Sequence, residues 1–69
     1  MTLKEIEDRI EHISANKDDD EAAHGAEDVL YSTFIEYVAS PAARDDLTLA
    51  DKARMVLSTK QIDFQRWCA

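Results

Sequence analysis

A chain of 69 residues with fifteen acids, eight Lys and Arg residues, one cysteine, one glycine and one proline has room for one domain with a thin core, because at this size only about 60% of the unfolded surface is buried. Its formal charge of −7 argues against direct binding of nucleic acid or anionic lipid and favours basic protein surfaces. No stretch approaches the roughly 20 apolar residues of a membrane span, and the lone Cys68 excludes an internal disulfide, leaving regular helix packing, a metal or a second copy to support the fold.

The scarcity of glycine and proline favours helix, and apolar spacing makes the case. Leu3, Ile6, Ile10 and Ile13 recur at steps of three and four, one stripe of a helix that turns Lys4, Asp8 and Glu11 outward. Thr2 followed by Glu5 is a capping-box pattern, so the first helix is expected over 3–15 with fraying at Asn16. The polar turn from Asn16 to Asp20 supplies acids able to cap the next helix and favour its positive end.

The second helix, expected over 19–39, carries Ala22, Ala26, Val29, Leu30, Phe34, Ile35, Tyr37 and Val38, an apolar surface too wide for one partner helix. Pro41 disfavours helix at Ser40 and ends it. Gly25 inside it costs about 1 kcal/mol relative to Ala and suggests a close approach of the first helix beside Ala22, Ala23 and Ala26. A third helix over 49–58 is expected to begin at a Thr48 cap and to bury Leu49, Ala53, Val56 and Leu57. A last turn over 63–67, capped by Asp63, would set Phe64 and Trp67 on one side to close the bundle. The predicted fold is therefore all-α: one domain, a small helical bundle of three main helices plus a short C-terminal helical turn, the first two helices forming an antiparallel hairpin.

Charge is unevenly placed. Residues 1–40 hold eleven acids against three bases, whereas residues 41–69 hold four acids against five bases. The acid-rich half would be drawn to basic protein surfaces by long-range steering, and only the cluster Arg44, Lys52, Arg54, Lys60 and Arg66 offers a competing nucleic-acid surface. The single thiol and an N-terminus, Met1-Thr2-Leu3-Lys4-Glu5, without a signal-type apolar run lead to the expectation of a cytoplasmic protein.

The densest polar constellation surrounds His24. On a helix, Asp20, Glu21, Glu27 and Asp28 all lie three or four residues from it, and Glu-x-x-His is a spacing by which bundles present metal ligands. A di-metal bundle needs that motif twice, and the only other histidine, His12, has just Asp8 and Glu11 nearby. A solvated acidic face is the favoured reading, with no cofactor, and a divalent-metal site centred on Glu21, His24 and Glu27 is the alternative. Cys68 has no base or oxyanion site beside it, and one glycine cannot build a phosphate loop. The inventory predicts no enzyme. Among the aromatics, Tyr31 lies off the Ala26-Leu30-Phe34 line together with Ile35, and the two would form an apolar strip for a partner or for a homodimer through the second helix.

Asp-Glu-Ala-Ala-His at 20–24, Glu-Asp-x-Leu-Tyr at 27–31, Leu57-Ser58-Thr59 and the closing Ile-Asp-Phe-x-Arg-Trp-Cys-Ala at 62–69 together resemble small uncharacterised proteins encoded by bacteriophages and prophages. The resemblance spans most of the chain from the second helix onward and carries no functional residue with it. It implies an accessory protein acting inside a bacterial cell, a setting in which small acidic proteins bind and modulate host proteins, some by imitating the charge of DNA. The expected function is a protein-interaction module that engages its partner through Asp18, Asp19, Asp20, Glu21, Glu27 and Asp28 or through Tyr31 and Ile35.

Overall fold

A computed structural model describes residues 1–66 and contains three α-helices: α1 Leu3–Ala15, α2 Asp20–Ala39 and α3 Leu49–Leu57. Short 3₁₀ turns at Pro41–Ala43 and Ser58–Gln61 follow α2 and α3, and no strand occurs among the described residues. The architecture is the expected small helical bundle. Its α1 and α2 pack against each other across the short link 16–19, which makes them an antiparallel hairpin, and α3 lies against both.

The ends of the first two helices follow from local chemistry. Thr2 Oγ1 accepts from the Glu5 amide at 3.1 Å, and the Asn16 side-chain amide donates to the His12 carbonyl at 2.8 Å, closing α1. Asp19 accepts from the Ala22 amide at 3.1 Å and puts a carboxylate at the positive end of α2. Ser40, ahead of Pro41, turns extended with ψ 157° and stops α2.

The α3 helix starts at Leu49 after Thr48 as expected, but the chemistry of that end differs. Thr48 makes no side-chain cap to the helix; its hydroxyl instead donates to Asp46 Oδ1 at 2.6 Å, and its amide donates to the same oxygen at 2.8 Å. Asp46, two residues upstream, organises this end through an Asx-type turn. Its other oxygen accepts from Tyr37 and from Lys52. The buried face of α3 changes accordingly: Lys52 and Val56 turn inward, whereas Leu57, expected in the core, is 52% exposed.

Ile6 and Ile13 from α1, Ala23, Leu30 and Phe34 from α2, Val56 from α3 and Phe64 beyond it form one core. Its largest fully buried side chains are Ile6, Ile13, Leu30 and Thr59, a small set that makes each contact count. Gly25 is not the site of close approach that its setting suggested. It is exposed, and a Cβ added there would meet nothing within 4 Å.

The helical turn expected over 63–67 is replaced by a strap. Residues 62–66 are non-helical, because Arg66 reaches back to gather carbonyl groups: its Nη2 donates to Thr59 O at 2.9 Å and Ile62 O at 3.2 Å, and Nη1 donates to Phe64 O at 3.3 Å. Asp63 therefore caps no helix here, and the short helical turn near the C-terminus is Ser58–Gln61. Trp67 and Cys68 lie outside the described residues.

Candidate interaction surfaces

The acids singled out around His24 separate into two populations. Asp18, Asp19, Glu21 and Asp28 are exposed at the N-terminal half of α2 and the elbow before it. Glu27 is not on that face: it is 4% exposed and forms a two-pronged ion pair with Arg66, Nε to Oε1 at 2.9 Å and Nη2 to Oε2 at 3.0 Å. Burial raises the proton affinity of the Glu27 carboxyl, but hydrogen bonds from Arg66 and Thr59 outweigh it and hold the group below the ordinary glutamate value. Asp20 is half-buried and accepts from the Gln65 amide at 3.2 Å. Both acids thus fasten the strap to α2 rather than facing a partner.

This arrangement bears directly on the metal alternative. Glu27 is committed to Arg66, and His24 Nδ1 lies 3.6 Å from Asp28 Oδ2, so Glu21, His24 and Glu27 do not converge. Among the described residues no group of three or more His, Cys, Asp or Glu side chains is gathered to hold a metal ion.

Of the elbow acids, Asp18, Asp19 and Glu21 remain outward. No ion pair among the described residues engages Asp18, Asp19, Asp20 or Glu21. From the elbow the acidic surface runs into a groove between α1 and α2, where Asp8, Arg9, His12 and Glu21 stand around a floor of Ala22, Gly25, Ala26 and Val29. Small residues on the floor keep it open, and Val29 is 54% exposed there.

A second surface lies between α2 and α3. Tyr31, Phe34 and Ile35 face Ala53, Val56 and Leu57 across a groove of about 290 Å³ whose lining is wholly apolar. Ile35 is 64% exposed, as an outward strip requires. Tyr31 is half-buried instead, because its hydroxyl shares a 2.9 Å hydrogen bond with the buried Thr59 hydroxyl. Leu57 belongs to this surface and was missed, because the spacing from Ala53 assigned it to the buried face of α3; Val38, part of the wide apolar surface of α2, is 42% exposed one turn beyond Ile35. The signal that would have found Leu57 is the alternative stripe Leu49-Lys52-Val56, unattractive in a sequence because it buries a lysine.

That lysine belongs to the remaining polar cluster, Asp46, Lys52, Tyr37 and Thr48. Hydrogen bonds from Lys52, Thr48 and Tyr37 hold the Asp46 carboxyl well below the usual carboxylate range, and the bond to that carboxylate raises both Lys52 and Tyr37. Lys52 Nζ also lies 5.0 Å from the Tyr37 ring centre. The cluster is internally satisfied, with no orphaned buried side-chain polar atom among the described residues. Its chemistry is that of a staple joining the end of α2 to the start of α3.

No protein-family model, curated protein or solved structure matches the chain. What fold and surface define is a class: a small, acidic, all-α bundle with one outward acidic elbow, one apolar groove and no helix long and apolar enough to cross a membrane among the described residues.

Proposed function

We propose that the protein is a small acidic interaction module that binds a basic surface of another protein through Asp18, Asp19, Glu21 and Asp28. The observation that carries this reading is the composition of α2 and its elbow: Lys17 aside, residues 16–39 contain no lysine or arginine, and the elbow acids enter no ion pair among the described residues. An uncompensated cluster of this kind raises association rates with cationic surfaces and disfavours anionic ones. The neighbouring floor of Ala22, Gly25, Ala26 and Val29 suits the aliphatic stems of lysine and arginine, which bury along apolar surface while their charges meet carboxylates. Together with the phage-type resemblance, this makes the protein an accessory factor that binds and modulates a host protein in the bacterial cytoplasm.

Affinity capture from bacterial lysate with the tagged full chain tests the reading against Asp18→Lys, Asp19→Asn and Glu21→Lys combined. Asparagine at 19 keeps the helix cap, since Asn and Asp cap about equally well, and Asp20 is left to hold the strap. A host protein retained by the native chain at low salt, released as salt rises and lost with the variant is the expected result. The same proteins on both chains would exclude the elbow as the binding face.

A further inference from the structure

We propose that the groove between α2 and α3 is covered by a second copy of this chain, with α2 of one copy lying over α3 of the other. This goes beyond the elbow reading and uses the α2–α3 side of the molecule, sharing only Asp28 with the acidic face. The groove is lined only by apolar surface, and its walls leave Ile35 at 64%, Leu57 at 52% and, one helical turn beyond Ile35, Val38 at 42% exposed. Three large aliphatic residues on one side of so small a molecule are an association surface. A standard interface removes about 800 Å² from each partner, only a sixth of the 4746 Å² that the chain exposes. The thin core gives such burial more weight here than in a larger domain.

The two walls differ in charge, and that selects the occupant. The α2 wall carries Asp28 on the stripe of Ile35 and has no lysine or arginine anywhere in Asp20–Ala39. The opposite wall and the turn that continues it carry Lys52, Arg54 and Lys60 against Asp51 alone. Lys52 is consumed by Asp46 and Arg54 pairs with Asp51, which leaves Lys60 exposed and outside any ion pair among the described residues. Each copy therefore offers one acid, Asp28, on the α2 side of the groove and one unengaged cation, Lys60, in the turn that continues the α3 side.

A two-fold axis running along the groove places each wall against its opposite, the isologous arrangement of most homodimers. The register follows from cross-helix bonds: Tyr31 meets Thr59, and Tyr37 lies 3.4 Å from Lys52 Nζ, so α3 runs antiparallel to α2. Rotation about the groove axis keeps those levels, setting Ile35 against Leu57 of the second copy and Asp28 near its Lys60. The net charge of −7 does not forbid this contact. Glu21 lies about 20 Å from Ile35 along the helix at 1.5 Å per residue, well beyond the roughly 8 Å over which exposed charges act at physiological salt. The dimer would carry two elbows and so present the acidic face twice.

Sedimentation velocity of the full chain over a hundredfold range of concentration tests the proposal. The native chain is expected to reach twice its 7.8 kDa mass. Ile35→Glu should remain at the monomer mass with an unchanged circular dichroism spectrum, because the residue is already exposed in the single copy. Asp28→Lys should weaken the dimer roughly tenfold by placing two like-charged contacts across the axis, and Asp28→Lys with Lys60→Asp should restore it. A native chain that stays monomeric, or an Ile35→Glu chain that still dimerises, overturns the proposal; a double reversal that fails to rescue overturns the placement of α2 over α3. Lysate capture by the elbow is scored separately, so a monomeric chain that still loses its host protein on elbow reversal would sink the dimer and leave the acidic module standing.

Discussion

Glu27 and Arg66 illustrate how unequal the two halves of one ion pair can be. Glu27 is almost fully enclosed, while the Arg66 side chain keeps 34% of its surface in water and lies over the Phe64 ring at 3.8 Å. Removing the arginine strands a buried carboxylate; neutralising the glutamate leaves a guanidinium still bonded to three carbonyl groups. Arg66→Met is therefore expected to cost about 3 kcal/mol, the lower end for a broken buried pair. Glu27→Gln should cost about 1 kcal/mol. Urea unfolding of both variants measures the difference, and equal losses would mean that the carbonyl bonds, not the pair, hold the strap. The pair was illegible in the sequence because its members are 39 positions apart and because Glu27 sits among acids that resemble a solvated face. Helical periodicity marks which residues share a stripe. It does not say that one acid on the stripe will meet a cation arriving from the far end of the chain.

The helices themselves show where local rules suffice and where they stop. Thr2 and Asp19 cap α1 and α2 as their positions suggest, and Pro41 ends α2, because each effect acts within a few residues. The start of α3 after Thr48 is where the sequence places it, but the expected side-chain cap is missing, because the Asp46 carboxylate, drawn by Tyr37 and Lys52 from other elements, captures the threonine hydroxyl. The 63–67 turn failed for the same kind of reason, a long-range claim on Arg66. Gly25 offers a test confined to one element. It lies inside α2, exposed, with no positive φ and open space where a Cβ would go, so nothing in the fold requires glycine there. Gly25→Ala should raise stability by about 0.5–1 kcal/mol through helix propensity and a less flexible unfolded chain, visible as a higher melting temperature. A lower one would show that the α1–α2 groove closes over this position in solution. Half of the candidate surface was legible in the same way: the elbow acids and Ile35 follow from charge and spacing, while Leu57 was hidden by a core assignment that only the buried Lys52 overturns.

For the molecule as a whole, two opposing electrostatic effects set the response to pH. Lowering pH from neutrality toward the isoelectric point near 4.5 discharges exposed carboxylates and relieves self-repulsion among the acids of residues 1–40, which stabilises the compact state. Glu27 and Asp46 act in the other direction. Both are held below their ordinary values in the fold, so their contribution is complete above the unfolded carboxylate range, about 4, and is lost as pH falls through it toward the folded values. Stability should therefore rise modestly from pH 7 to about 5 and fall steeply below about 4. Thermal melts of the native chain across this range, repeated with Asp46→Asn, separate the two terms. The variant should keep the rise, since it leaves the elbow untouched, and should show a shallower acid loss, since one of the two protonation-sensitive contacts is already gone. An acid limb of unchanged steepness would shift that loss onto Glu27 and its strap. A native chain that continues to gain stability below pH 4 would mean that neither carboxylate is held in the fold as its contacts imply.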